Sequence, residues 1–146
     1  MNFLFQLKKL FTWRKPKKAL TRNVVVGRWG EDQAVAFLKR AGFRIIGRNV
    51  RSTRHDELDI IAKNDTFLVF VEVKTREQET FGSPAKAITP KKRHALNRAA
   101  AAYLRKAHYP DCIYRFDVVE VVGLPEMPHP LVRHIEHAFP FERQFS

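Results

Sequence analysis

A handful of charged side chains fall into a pattern that could hydrolyse a phosphodiester. Asp59 sits in the run Glu57-Leu58-Asp59-Ile60-Ile61, and Glu72 and Lys74 close the run Phe70-Val71-Glu72-Val73-Lys74. Two carboxylates held close together repel unless one is protonated or a cation joins them. Hard oxygen ligands of this kind suit Mg2+ or Mn2+, with water completing the shell. A lysine two residues after the second acid projects from the same strand face, about 6–7 Å further along. There it can orient a water or stabilise charge on a phosphate under attack. Glu31, on an upstream helix, can add a ligand directly or through water. Together these residues make a metal-dependent phosphodiesterase site, in which the metal generates hydroxide and stabilises the leaving oxygen.

The elements that must position them can be read from the pattern. Glu57 to Ile61 alternates as a short strand, Lys63-Asn64-Asp65 is turn chemistry, and Thr66 to Lys74 alternates again with β-branched and aromatic residues. Alternation places Glu57, Asp59 and Ile61 on one face of the first strand. On the second it places Leu68, Phe70, Glu72 and Lys74 on one face and Val69, Val71 and Val73 on the other. A face that is apolar for two positions and charged for the next two reads as a core opening into a polar pocket. The plainer alternative is a hairpin with a solvated polar face.

Gly27 to Ala41 is predicted as a helix, with Ala34, Phe37, Leu38 and Ala41 as its buried stripe and Gly42 closing it. Glu31 falls on or beside that stripe, an odd place for an acid unless it is paired, functional or answering the helix dipole. Phe43 to Val50 reads as a strand, Arg51 to Asp56 as a basic turn, and Thr75 to Ala87 as a loop. A second helix starts at Thr89 as N-cap with Pro90 first, on the stripe Leu96, Ala100, Tyr103, Leu104 and Ala107. Lys92 extends that stripe and can point back to the sheet, whereas Lys91, Arg93 and Arg98 are expected to spread outward along a phosphate path. Tyr114 to Val122 reads as a strand with Arg115 and Asp117 on one face, and Leu131 to Phe139 as an edge strand. His134 and His137 fall on opposite faces of that strand, which disfavours a zinc site.

The chain of 146 residues fits one domain, and 45% hydrophobic content is globular rather than disordered. The net charge of +12 favours a polyanionic partner, nucleic acid or an anionic membrane. Part of that charge belongs to residues 1–22, which carry Lys8, Lys9, Arg14, Lys15, Lys17, Lys18 and Arg22 and no acid. Phe3, Leu4, Leu7, Leu10 and Phe11 stand there at helical spacing, so the segment reads as an interfacial amphipathic helix, a basic arm on nucleic acid, or a solvated tail. Lys8 and Lys9 break any signal-peptide run. A single cysteine, Cys112, allows no internal disulfide and suits a reducing, cytoplasmic compartment.

The order of these pieces resembles the PD-(D/E)XK nuclease superfamily, which includes archaeal Holliday-junction resolvases. More closely, the chain resembles the YraN family of nuclease-like bacterial proteins. The likeness covers about Gly27 to Phe139. It is carried by Gly27-x-x-Gly30-Glu31, Gly42-Phe43, Arg48-Asn49-Val50-Arg51, Glu57-Leu58-Asp59-Ile60-Ile61-Ala62, Phe70-Val71-Glu72-Val73-Lys74-x-Arg76, the helix with Lys92, Arg115-Phe116-Asp117-Val118-Val119 and Ala138-Phe139. The resemblance implies Asp59 and Glu72 as metal ligands, Lys74 as catalytic cation and Glu31 as auxiliary acid. One departure is Asp56, where the family usually has Gly; Asp tolerates positive φ, and an extra carboxylate here could alter metal affinity.

The expected fold is therefore α/β, a restriction-endonuclease-like core with a mixed four- to five-stranded sheet flanked by helices. Residues 1–22 form a basic extension and 23–146 the nuclease-like domain. The expected function is Mg2+- or Mn2+-dependent cleavage of DNA, branched or damaged DNA included, with Arg51, Arg54, Arg76, Lys91 and Lys92 holding the strand. A non-catalytic nucleic-acid-binding module is the alternative, and an interaction protein using the tail at a membrane is a third reading. One small site can cut both strands only by homodimerising or by rebinding.

Overall fold

The computed structural model describes residues 19–79, 82 and 84–142, and the expectations for the basic extension lie outside them up to residue 18. The elements run α1 (Arg22–Arg40), β1 (Arg44–Arg51), β2 (Glu57–Lys63), β3 (Phe67–Arg76), a 3-10 turn (Pro84–Ala87), α2 (Pro90–Lys106), β4 (Ile113–Val122) and β5 (Leu131–Phe139). The five strands form one sheet in the order β1-β2-β3-β4-β5. Only β3 and β4 run parallel; every other pair is antiparallel. The β3–β4 connection carries α2, as a parallel crossover requires. This is the mixed α/β sheet expected from the sequence.

Helix α1 begins five residues earlier than its apolar stripe suggests. Thr21 is the N-cap, its hydroxyl accepting the Val24 N–H at 3.4 Å. The first turn is exposed at Val24 and Val25, so it carries no burial periodicity to read. Arg22, placed with the extension on sequence grounds, is the first helical residue and pairs with Glu126 at 2.6 Å. At the other end Gly42, at φ 91°, donates to Lys39 O, and Phe43 donates to Leu38 O. That double closure ends the helix.

The helices cover opposite faces. Ala34, Val35 and Leu38 of α1 pack with Ile60, Val69, Val71, Val119 and Val121. Leu96, Ala99, Ala100 and Leu104 of α2 pack with Leu58, Ile61, Leu68, Phe70, Phe116 and Val118. Phe116 stacks on Phe139 at 4.7 Å and Phe141 at 4.3 Å, which ties the chain end to the α2 layer.

These two clusters correct the simple alternation expected of the first central strand. Ile60 faces α1, yet Leu58 and Ile61 both face α2. The same exchange occurs on β1. Arg48, paired with Ile60, reaches Asp32 on α1, whereas Val50, paired with Leu58, packs in the α2 layer. The row between these pairs holds Asn49 opposite Asp59. Asn49 has φ 49°, the left-handed region, and that reversal of backbone hand lets the ribbon turn over.

Candidate active site

The site forms where β2 and β3 separate. Their ladder ends at Ile60↔Val71, so Asp59 and Glu72 stand one register step beyond the last pair. Asp59 fills the gap with its side chain, Oδ2 accepting the Val73 N–H at 2.8 Å. Burial, with the adjacent Glu72 charge, pushes Asp59 up to about 7 against the opposing pull of the Val73 N–H and Lys92.

Glu72 is 6% exposed. Its Oε1 faces two ammonium groups, Lys92 Nζ at 3.5 Å and Lys74 Nζ at 3.7 Å. Its Oε2 is buried and takes no hydrogen bond. Two ionised carboxylates cannot donate to each other, so a proton shared with Asp59, a buried water or an added cation would satisfy that oxygen. Lys92 thus turns toward the sheet, as its place on the helix stripe suggests.

Glu31 joins from α1. Desolvation raises its pKa above the ordinary carboxylate value, with Asn49 opposing and Asp59 and Glu57 adding to the rise. Asn49 Nδ2 donates to Glu31 Oε2 at 3.1 Å, and Arg48 Nη2 stands 3.9 Å from the same oxygen. Gly30 makes this approach possible, because a Cβ there would overlap Thr75 Oγ1 and lie 3.0 Å from Thr75 Cβ. An open groove of about 450 Å3, lined by Val24, Gly27, Arg28, Glu31, Asn49 and Glu57, adjoins the acids.

The structure therefore brings together Glu31, Asp59, Glu72, Lys74 and Lys92. The other basic candidates have their own settings. Arg51 pairs with Glu57 at 3.3 Å, Arg54 is exposed in the β1–β2 turn, and Lys91 is exposed on the first turn of α2. Arg76 turns to Glu120 on β4 at 3.4 Å.

Three expectations are corrected. Arg93 does not spread outward: it folds back to donate to Ile88 O and Ala85 O and lies over the Phe139 ring. Arg98 is committed to Asp56, with Nε to Oδ2 at 3.1 Å and Nη2 to Oδ1 at 3.0 Å. Asp56, expected to bring an extra carboxylate to the site, is thus the partner of Arg98. Its carboxylate, held also by Thr53, titrates below the usual range, chiefly through the Arg98 hydrogen bonds, and its backbone is not left-handed.

Asn49 lies within a motif of the family resemblance, yet the sequence pattern assigns it no role. The available signal is an asparagine inside a strand, where the residue is depleted, together with its several-fold enrichment at positive φ. A second feature, on β4 where Arg115 and Asp117 lie level with Val69 and Val71 of β3, is a buried ionic cluster. Arg115 pairs with Asp117 at 3.0 Å, and Asp117 also takes His134 Nε2 at 2.7 Å and the His137 N–H at 3.2 Å. It is fully committed to holding the irregular end of β5 onto β4.

Among the described residues no helix is long and apolar enough to cross a membrane. Among those residues no group of three or more His, Cys, Asp and Glu side chains is arranged to hold a metal ion.

Comparison with known proteins places these residues in a defined group. The profile of the uncharacterised protein family UPF0102 matches residues 30–121, which includes Glu31, Asp59, Glu72, Lys74 and Lys92. A UPF0102 protein of Caldicellulosiruptor saccharolyticus is 48% identical over 96 residues, covering 66% of this chain and 80% of its own. One from Geobacter sulfurreducens is 43% identical over 118 residues, covering 80% and 90%. One from Syntrophomonas wolfei is 41% identical over 119 residues, covering 80% and 99%. The chain belongs to the uncharacterised protein family UPF0102.

Proposed function

We propose that this protein is a divalent-metal-dependent nuclease that hydrolyses phosphodiester bonds in DNA. The observation that carries this reading is the buried, unsatisfied Glu72 Oε2 beside Asp59, with two lysines on the other Glu72 oxygen. A carboxylate pair that excludes donors from one oxygen is a poor ion-pair design and a good cation seat. Mg2+ commonly takes one or two carboxylates and keeps several waters. Asp59 and Glu72 would hold Mg2+ or Mn2+, with Glu31 adding its oxygen directly or through water. When bound, the cation supplies Lewis-acid activation of water and neutralises charge on the phosphate.

The remaining work falls to the protein's own groups. The Val73 N–H fixes the Asp59 carboxylate in place. Lys74 and Lys92 present positive charge where the phosphate would gain negative charge. Water adds across one P–O bond, leaving a phosphate monoester and a hydroxyl. Arg51, Arg54, Arg76 and Lys91 would hold the flanking backbone by charge, with little sequence preference. The order of the motifs, which resembles that of the PD-(D/E)XK nucleases, supports the same chemistry.

The test is cleavage by the purified protein with Mn2+ or Mg2+ on single-stranded, duplex, flap and four-way-junction DNA, with Glu72→Ala in parallel. Cleavage that disappears in the variant supports the nuclease and ranks its substrates. No cleavage on any substrate, with DNA bound equally by both proteins, would replace it with a non-catalytic binding module.

A further inference from the structure

We infer that Asn49 is a positioning residue for the acidic site: its left-handed backbone and side-chain amide fix the Glu31 carboxylate toward Asp59. This rests on the metal-site reading above and adds to it a residue that is not itself a ligand.

Three observations converge. Consecutive strand residues normally point to opposite faces, yet Arg48 and Asn49 both reach α1, to Asp32 Oδ1 at 2.7 Å and Glu31 Oε2 at 3.1 Å. They do so because Asn49 has φ 49°, a conformation few side chains tolerate inside a strand. Asn49 also lies between the pairs Arg48↔Ile60 and Val50↔Leu58, level with Asp59, which itself stands with Glu72 one step beyond the last β2–β3 pair. The amide is a neutral donor, so it orients Glu31 and leaves more of its negative charge to a cation than a second cationic group beside Arg48, 3.9 Å from the same oxygen, would. A lysine or arginine in its place would orient Glu31 and cancel that charge. Keeping strand geometry alone would favour a β-branched residue here, and filling a left-handed position alone would favour glycine.

The second alternative supplies the test. Asn49→Gly keeps the backbone conformation accessible and removes only the amide. Full-length protein is titrated with Mn2+, free ion being followed by electron paramagnetic resonance, and its thermal midpoint is recorded without metal. Asn49→Gly should leave the midpoint within a few degrees and weaken Mn2+ binding about tenfold, the scale typical of outer-shell partners. Glu31→Gln should weaken it similarly, and the double variant should lose little more than either single one, because both act through one carboxylate. Wild-type affinity in Asn49→Gly, or losses that simply add in the double variant, would overturn the inference and leave the metal site standing. Absence of Mn2+ binding by the unaltered protein would overturn the metal-site reading itself, and this inference with it.

Discussion

Asp59 Oδ2 accepts the Val73 N–H at 2.8 Å, at the point where β2 and β3 have stopped pairing. The acid thus takes the place of a missing strand partner while facing the Glu72 charge. Burial and that charge raise its pKa from the ordinary carboxylate value to about 7. In the folded state it therefore keeps a proton, across the interval from about pH 4 to 7, that the unfolded chain has released. The native state binds more protons there, so stability falls as pH rises through that interval and levels off above it. Each tenfold change in proton affinity is worth about 1.4 kcal/mol, so the loss amounts to a few kcal/mol. Asp59→Asn, which can still accept the Val73 N–H, should remove this component. Thermal midpoints from pH 5 to 8 without metal should fall for the unaltered protein and stay nearly level for the variant, which becomes the more stable of the two at pH 8. Parallel curves would show that Asp59 ionises normally.

Lys74 and Lys92 approach the same Glu72 oxygen from a strand and from a helix, at 3.7 and 3.5 Å. Neither is placed to be a ligand, and each repels a cation bound to Glu72. Lys74→Ala should therefore bind Mn2+ at least as tightly as the unaltered protein, and DNA comparably, but lose turnover by about 100-fold or more. Lys92→Ala should follow the same pattern with a smaller loss, because its side chain is the more exposed. Cleavage at the unaltered rate in Lys74→Ala would remove that residue from the mechanism.

What can be read from the sequence depends on whether a side chain's position is fixed locally. Glu72 and Lys74 follow from alternation along β3, which is regular from Phe67 to Arg76. Lys92 follows from helical periodicity behind a clear Thr89–Pro90 start. Alternation also brings Asp59 to Glu72, but for an incomplete reason, since it does not survive the face exchange at Asn49 and Asp59. That exchange depends on a single left-handed residue, which apolar periodicity cannot register. Arg93 and Arg98 escape the helical pattern because their partners, Ile88 O and Asp56, lie in irregular segments. His134 meets Asp117 through the β4–β5 register, which is interrupted near Phe116 and Val118 and cannot be counted along the chain.

Asp56 stands close to the acidic residues in sequence and apart from them chemically. Arg98 contacts both its oxygens, and Thr53 Oγ1 donates to Oδ2 at 2.9 Å. Three of the roughly four acceptor positions of this carboxylate are thereby taken. Asp56→Asn should leave Mn2+ affinity within about twofold of the unaltered value, whereas a structural ligand would lose far more. The same change should reduce stability at neutral pH, because a carboxylate with a lowered pKa stabilises the fold above its unfolded value and loses that contribution as pH falls through the folded one. The stability difference between the two proteins should therefore narrow on acidification. A large drop in Mn2+ affinity would return Asp56 to the metal site.

Gly30 lies against Thr75, one residue before Glu31, so that contact is expected to set how closely α1 brings Glu31 to the sheet. Replacing a glycine inside a helix by alanine ordinarily stabilises it by about 0.5–1 kcal/mol. Here the sign should reverse. A Cβ at Gly30 would overlap Thr75 Oγ1, and rotating Thr75 does not help, since its Cβ is already at 3.0 Å and its Cγ2 at the same distance. Overpacking of this kind costs about 1–3 kcal/mol. The helix can escape only by lifting away from β3, which carries Glu31 outward. Gly30→Ala should therefore be less stable in urea and bind Mn2+ more weakly. Thr75→Gly introduced into the same chain should restore much of both losses, although Thr75→Gly alone destabilises a strand. A favourable coupling of at least about 1 kcal/mol in that double-mutant cycle identifies the contact as the spacer. Strict additivity would mean that α1 is positioned elsewhere along its length.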